Sequence, residues 1–138
     1  MKIKYVTNGI FISTCALLIS LPIAAKKITT VDECDQLSPK NSDFSFCLDQ
    51  VKVHAERELT TWINNQTFAL EELKKQTGRG AALTIFKRSQ IAFEKYREDN
   101  CRWQYLQISP ATGADTVYKS CYIRLTQARS KELAQLNR

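Results

Sequence analysis

The sequence predicts an all-α fold: an elongated antiparallel three-helix bundle stapled by two disulfides. Three observations lead there. Apolar residues recur at steps of three and four over three long stretches. Glycine- or proline-bearing breaks separate those stretches. Four cysteines remain once an N-terminal export segment is set aside, an even number in a small exported chain. No stretch alternates with the period of a strand, and the chain has no internal repeat and no low-complexity run.

The export segment is residues 1–25. Lys2 and Lys4 open it, an apolar run follows from Ile10 to Leu21, and Pro22 leads to Ile23-Ala24-Ala25. A basic start, an apolar middle and a small-residue exit are the parts of a secretory signal peptide. Cleavage after Ala25 leaves residues 26–138 as one helical domain. The apolar run is well short of the ~20 residues a membrane-spanning helix needs. Cys15 follows Thr14 inside that run, which is a poor setting for lipid attachment. The expected location is therefore the periplasm or the exterior of a bacterium, with no membrane span after cleavage.

Residues 26–42 hold Pro39, Asn41 and Ser42 with few apolar side chains and read as an extended or irregular lead-in. Ser42-Asp43 is a good helix start, because a side-chain oxygen can cap the free amides of the first turn. Phe44, Leu48, Val51, Ala55, Leu59, Trp62, Ala69 and Leu73 then form one stripe, interrupted by Gln66. Gly78-Arg79-Gly80 ends this helix. A helix from Asp43 to Thr77 would span roughly 50 Å, a length that argues for a kink or an early end near Asn64-Asn65. The second helix runs from about Ala81 to Ile108. Phe86, Phe93, Tyr96 and Trp103 are spaced for its core, while Trp103 and Tyr105 point in different directions, leaving one free as a binding anchor. Ser109-Pro110-Ala111-Thr112-Gly113 is the next break. The third helix runs from about Asp115 to Leu136, with Tyr118, Cys121, Leu125 and Ala128 as its stripe and Leu133 and Leu136 slightly offset.

Cysteine placement tests this layout. Cys101 and Cys121 lie at similar distances on either side of Thr112. In an antiparallel hairpin turning there, they stand at one height on facing helices, as a disulfide requires. Cys101 therefore pairs with Cys121. Cys34 and Cys47 are left to each other, tying the lead-in to the first helix.

Composition narrows the chemistry. Setting aside Lys2 and Lys4 lowers the net charge from +6 to +4, which is mild, and no cluster of basic residues with interleaved aromatics points to nucleic acid. There is no Cys-x-x-Cys, and His54 is the single histidine, so a zinc site is not expected. Ser89, Ser120 and Ser130 lie outside any nucleophile-elbow context. Glu94 and Glu98 share a helix face, but so do countless solvated carboxylates beside Lys and Arg. The chain reads as no enzyme, with no catalytic residue, no metal and no cofactor.

Two segments carry a family pattern. Gln90, Phe93, Tyr96, Arg97, Glu98 and Cys101 form the first. Cys121, Leu125, Thr126, Arg129, Glu132 and Leu133 form the second. Together they resemble the two signatures of the LprI-like lysozyme inhibitor family over about residues 85–138. Upstream, Cys34 and Cys47 have family-like spacing, and Glu56 and Leu59 fit an otherwise degraded element in which Thr60 and Ile63 replace Asn and Tyr. The resemblance implies an exported, helical, disulfide-bonded, protein-binding domain whose partner is lysozyme if the namesake activity carries over. The alternative is a non-inhibitory envelope, immunity-type or host-directed interaction module. Glu94, Arg97, Glu98, Trp103 and Arg129 are the expected partner-binding residues. Arg97 and Arg129 have a second reading as structural ion pairs with Glu98 and Glu132. A chain of charge +4 is repelled by a basic lysozyme, so attraction falls to acids such as Glu71-Glu72 or Glu94 with Glu98.

Overall fold

A computed structural model describes residues 27–37 and 41–136. The signal-peptide segment 1–25 lies outside the described residues. Four helices follow in order: α1 (Val31–Leu37), α2 (Asn41–Thr77), α3 (Ala81–Ile108) and α4 (Ala114–Leu136). The last three are the expected up-down-up bundle. Among the described residues no helix is long and apolar enough to cross a membrane.

Helix α1 falls where the sequence reads as irregular. Its start is a reciprocal cap. The Glu33 backbone N–H donates to Thr30 Oγ1 at 3.2 Å, and the Glu33 carboxylate accepts from the backbone N–H groups of Thr29 and Thr30 at 2.8 and 3.2 Å. That arrangement satisfies amides at the helix start that have no partner within the helix. Helix α2 runs unbroken through Asn64-Asn65 to Thr77, so the expected early end does not occur.

The core lies among α1, α2 and α4. Val31, Cys34, Leu48, Val51, Ala55 and Ile123 are buried together, with Ile28, Phe44 and Cys47 packed against them. Gln127 Nε2 donates to the Thr29 carbonyl at 2.6 Å and helps hold the N-terminal segment onto α4. Lys119 ties α4 to the start of α2, with Nζ 2.9 Å from both Asp49 and Asp115. Burial works to lower the Lys119 pKa, and the hydrogen bonds to those two carboxylates overcome it and raise it.

Helix α4 is the middle of the bundle. Both α2 and α3 pack along it, and they touch each other far less. Its buried face therefore differs from the stripe read in the sequence. Ala114, Ile123, Thr126, Ser130 and Leu133 are buried, whereas Ala128 and Leu136 are exposed. Thr126 and Ser130 can be buried because their hydroxyls donate to the Tyr122 and Thr126 carbonyls one turn back, at 2.7 and 3.1 Å. On α3, Tyr96 and Trp103 are each 54% exposed rather than core. The interior positions are taken by Leu83, Gln90, Arg97 and Cys101.

Both expected disulfides are present. Cys34–Cys47 joins α1 to α2 with Cα atoms 5.7 Å apart, and Cys101–Cys121 joins α3 to α4 at 5.5 Å. A bridge closing a loop of this size stabilises by roughly 3 kcal/mol in the chain-entropy model. Replacing Cys101 and Cys121 together by Ala is expected to lower the melting temperature by roughly 10–20 °C. An unchanged melting curve would show that packing alone holds α3 against α4.

Candidate functional site

The space between α2 and α3, floored by α4, holds a continuous polar and aromatic network. Tyr122 of α4 is its centre. Its hydroxyl donates to Glu56 Oε1 of α2 at 2.7 Å. Over its ring sit the Arg97 guanidinium of α3, 3.9 Å from the centroid, and Lys52 Nζ of α2, at 4.4 Å. Arg97 Nη1 also donates to Thr126 Oγ1 at 2.8 Å. One turn away, the Tyr118 hydroxyl donates to Glu98 Oε2.

Toward the far end of α4, Arg129 takes over. Its Nε donates to Gln90 Oε1 at 3.3 Å, and its Nη1 pairs with Glu132 at 2.7 Å. Arg97 and Arg129 both approach the Phe93 ring, at 5.4 and 5.8 Å. Gln90 is itself fixed by donating from Nε2 to the Ser89 hydroxyl at 2.9 Å and to the Phe86 carbonyl at 3.3 Å.

Arg97 is only 9% exposed, and its Nε has no hydrogen-bond partner. Among the described residues it has no carboxylate partner. Aromatic faces and a hydroxyl offset its desolvation instead. A desolvated cation–π contact is worth about 2 kcal/mol, and a hydrogen bond from a charged group about 1.5–3 kcal/mol. The two phenols respond to the same surroundings. Burial first, then hydrogen bonding to Glu98, pushes the Tyr118 pKa up to about 12. Burial and the bond to Glu56 push Tyr122 higher still, against the opposing pull of Arg97.

The five expected partner-binding residues do not form one surface. Arg97 is interior, and Arg129 is largely covered by its own contacts. The Arg129–Glu132 pair forms as read from the sequence. The Arg97–Glu98 pair does not, because Glu98 is taken by Tyr118. Glu94 and Glu98 are exposed on one side of α3. Trp103 is exposed on another, its Nε1 donating to Asn100 Oδ1 at 3.3 Å; five residues on from Glu98, it points about 140° away around the helix axis. The acidic pair Glu71-Glu72 is neutralised within the fold by Lys87 at 3.4 Å and Lys75 at 2.6 Å. Lys52, Glu56, Tyr118 and Tyr122 were not foreseen as a unit. The signal was faint: Glu56 fitted the degraded upstream element, and Tyr122 stands four residues before Thr126.

These features define a small helical domain, stapled twice, whose polar network locks helices together. Among the described residues there is no cluster of three or more His, Cys, Asp or Glu able to hold a metal ion. The family model described as "Lysozyme inhibitor LprI" matches residues 34–133, from the first bridging cysteine to the last buried leucine, and the chain belongs to that family. Neither the curated proteins nor the solved structures contain a match to it.

Two outcomes test the network. Arg97→Ala is expected to cost roughly 2–4 kcal/mol, and Arg97→Lys to rescue only part of that, because an ammonium lacks the flat fork. Denaturant midpoints measure both, and a midpoint equal to wild type for Arg97→Ala would dismiss the contact as a bystander. The second concerns alkali. The folded-state pKa values of Tyr118 and Tyr122 lie above the unfolded value of about 10. Their contribution is therefore intact below pH ~10 and is lost as pH rises through the folded values. Melting temperature is expected to fall above pH ~10, with two phenols resisting ionisation until about pH 12 or beyond in a tyrosinate absorbance titration. All phenols ionising together near pH ~10 would contradict it.

Proposed function

We propose that residues 26–138 act outside the bacterial cytoplasm as a stoichiometric inhibitor of lysozyme. The family match over residues 34–133 is the observation that carries this reading. Two other features fit it. The chain begins with a segment of signal-peptide character, and two disulfides close the domain, which is chemistry of oxidising compartments. Inhibition works by occupancy: the domain docks on the enzyme and excludes its substrate, with no bond made or broken.

Rigidity supports the same role. An inhibitor held in its binding shape loses little entropy on docking. Here α4 is fixed to α1, α2 and α3 by ion pairs, hydrogen bonds and a disulfide. Arg97 and Arg129 contribute to that rigidity through their contacts across the α3–α4 seam.

The test is lysozyme turnover of cell-wall substrate at rising concentrations of the purified mature domain. Turnover is expected to fall to near zero at a one-to-one ratio once the enzyme concentration exceeds the dissociation constant. No inhibition at micromolar excess would remove this reading in favour of a non-inhibitory interaction module. Lysis of cell walls by the domain alone would mean that it is an enzyme.

A further inference from the structure

The positive charge of the domain is gathered at one end. Between positions 68 and 88, Lys74, Lys75, Arg79, Lys87 and Arg88 face only Glu71 and Glu72, so this stretch carries +3 of the +4 on residues 26–138. It is the α2–α3 hairpin, and it projects. Tyr122 meets Glu56, and Lys119 meets Asp49; at that parallel register α4 finishes level with about Gln66 to Leu70 of α2. The last turns of α2 and the tip therefore stand roughly 10 Å beyond it.

The tip is narrow and set in shape. Gly78 has φ +74°, a conformation other residues rarely adopt. Gly80 lets the Lys74 stem pack against the backbone, where an added Cβ would lie 3.3 Å from Lys74 Cδ and Cε. Arg79 stands between the two glycines. Its backbone N–H and its Nε both donate to Thr77 Oγ1 at 3.3 Å, and that hydroxyl donates to the Leu73 carbonyl at 2.7 Å. Both acids of the hairpin are taken by Lys75 and Lys87. Among the described residues Lys74, Arg79 and Arg88 have no carboxylate partner. Behind the tip, Phe68, Ile85 and Ile91 are 64%, 50% and 69% exposed.

We propose that this hairpin tip enters the substrate cleft of lysozyme, setting Arg79 against the catalytic carboxylates while Phe68 and Ile85 meet the rim. The assignment rests on the inhibitor reading above. Enzymes that cleave glycosidic bonds work with a pair of carboxyl groups at the cleft floor. A cleft lined by one sign of charge focuses its field outward. A guanidinium is the side chain whose geometry matches a carboxylate. This placement also removes the objection of like charge. Outside the hairpin the domain is close to neutral, so its positive end meets the acidic cleft rather than the basic exterior.

The experiment compares wild type with Lys74→Glu/Arg79→Glu and with a control, Lys95→Glu/Lys131→Glu, in the lysozyme turnover assay at low and moderate salt. All three are first matched for melting temperature. The tip reversal is expected to raise the inhibition constant at least about tenfold, with the control within about twofold. Wild-type inhibition should weaken in the presence of tri-N-acetylchitotriose, a cleft-filling sugar. If wild type inhibits and the tip reversal matches the control, the tip assignment fails alone. If Glu94→Lys weakens inhibition more than the tip reversal does, the contact surface is the middle of α3 and the assignment is overturned. Absence of wild-type inhibition would instead remove the inhibitor reading, and the tip assignment with it. Binding to phosphatidylglycerol vesicles that depends on the tip, with inhibition that does not, would reassign the tip to anionic lipid and overturn the proposal.

Discussion

Helix α4 has to bury two sides at once, one against α2 with α1 and one against α3. Large apolar side chains on every inward position would push the neighbouring helices apart. Small hydroxyl residues let them approach, provided each hydroxyl finds a partner on its own helix, as Thr126 and Ser130 do. Thr126 then serves a second purpose by accepting from Arg97. A cation can be buried there because the Tyr122 face and the Thr126 oxygen replace part of its water. The disulfide Cys101–Cys121 fixes the neighbouring turn of the same interface. Register, burial and rigidity across the α3–α4 seam all follow from that small group of residues.

Much of this was legible in the sequence, and the failures have physical causes. Helix bounds at Thr77, Ala81 and Ile108 followed from Gly78, Gly80 and Pro110, because backbone restrictions act locally. The disulfides followed from hairpin geometry. The short helix α1 carries its cap in Thr30-Val31-Asp32-Glu33, but at seven residues it is too short to show an apolar stripe. The face of α4 was missed because a stripe of Tyr118, Cys121, Leu125 and Ala128 tracks only one of its neighbours. Tyr96 and Trp103 looked like core because they are aromatic at helical spacing. The interior instead took Gln90 and Arg97, which meet Arg129 and Thr126 of α4, and no single-helix pattern can show a partner on another helix.

Charge gives the same lesson. A net charge of +4 on residues 26–138 argues against docking on a basic enzyme. That average hides an uneven distribution, because the hairpin at 68–88 holds +3 of it. Of the acids expected to supply the attraction, Glu71 and Glu72 are spent on Lys87 and Lys75, Glu98 accepts from Tyr118, and Glu94 is exposed. What the fold presents is a rigid, near-neutral body with a basic point, built by carrying α2 and the start of α3 past the end of α4.

The most direct measurement is hydrogen–deuterium exchange of the domain with and without lysozyme. The account predicts slowed exchange at residues 71–88 of the domain and at the cleft of the enzyme, with α1 and the middle of α3 unchanged. Protection centred on residues 94–103, or no protection on either protein, would contradict it.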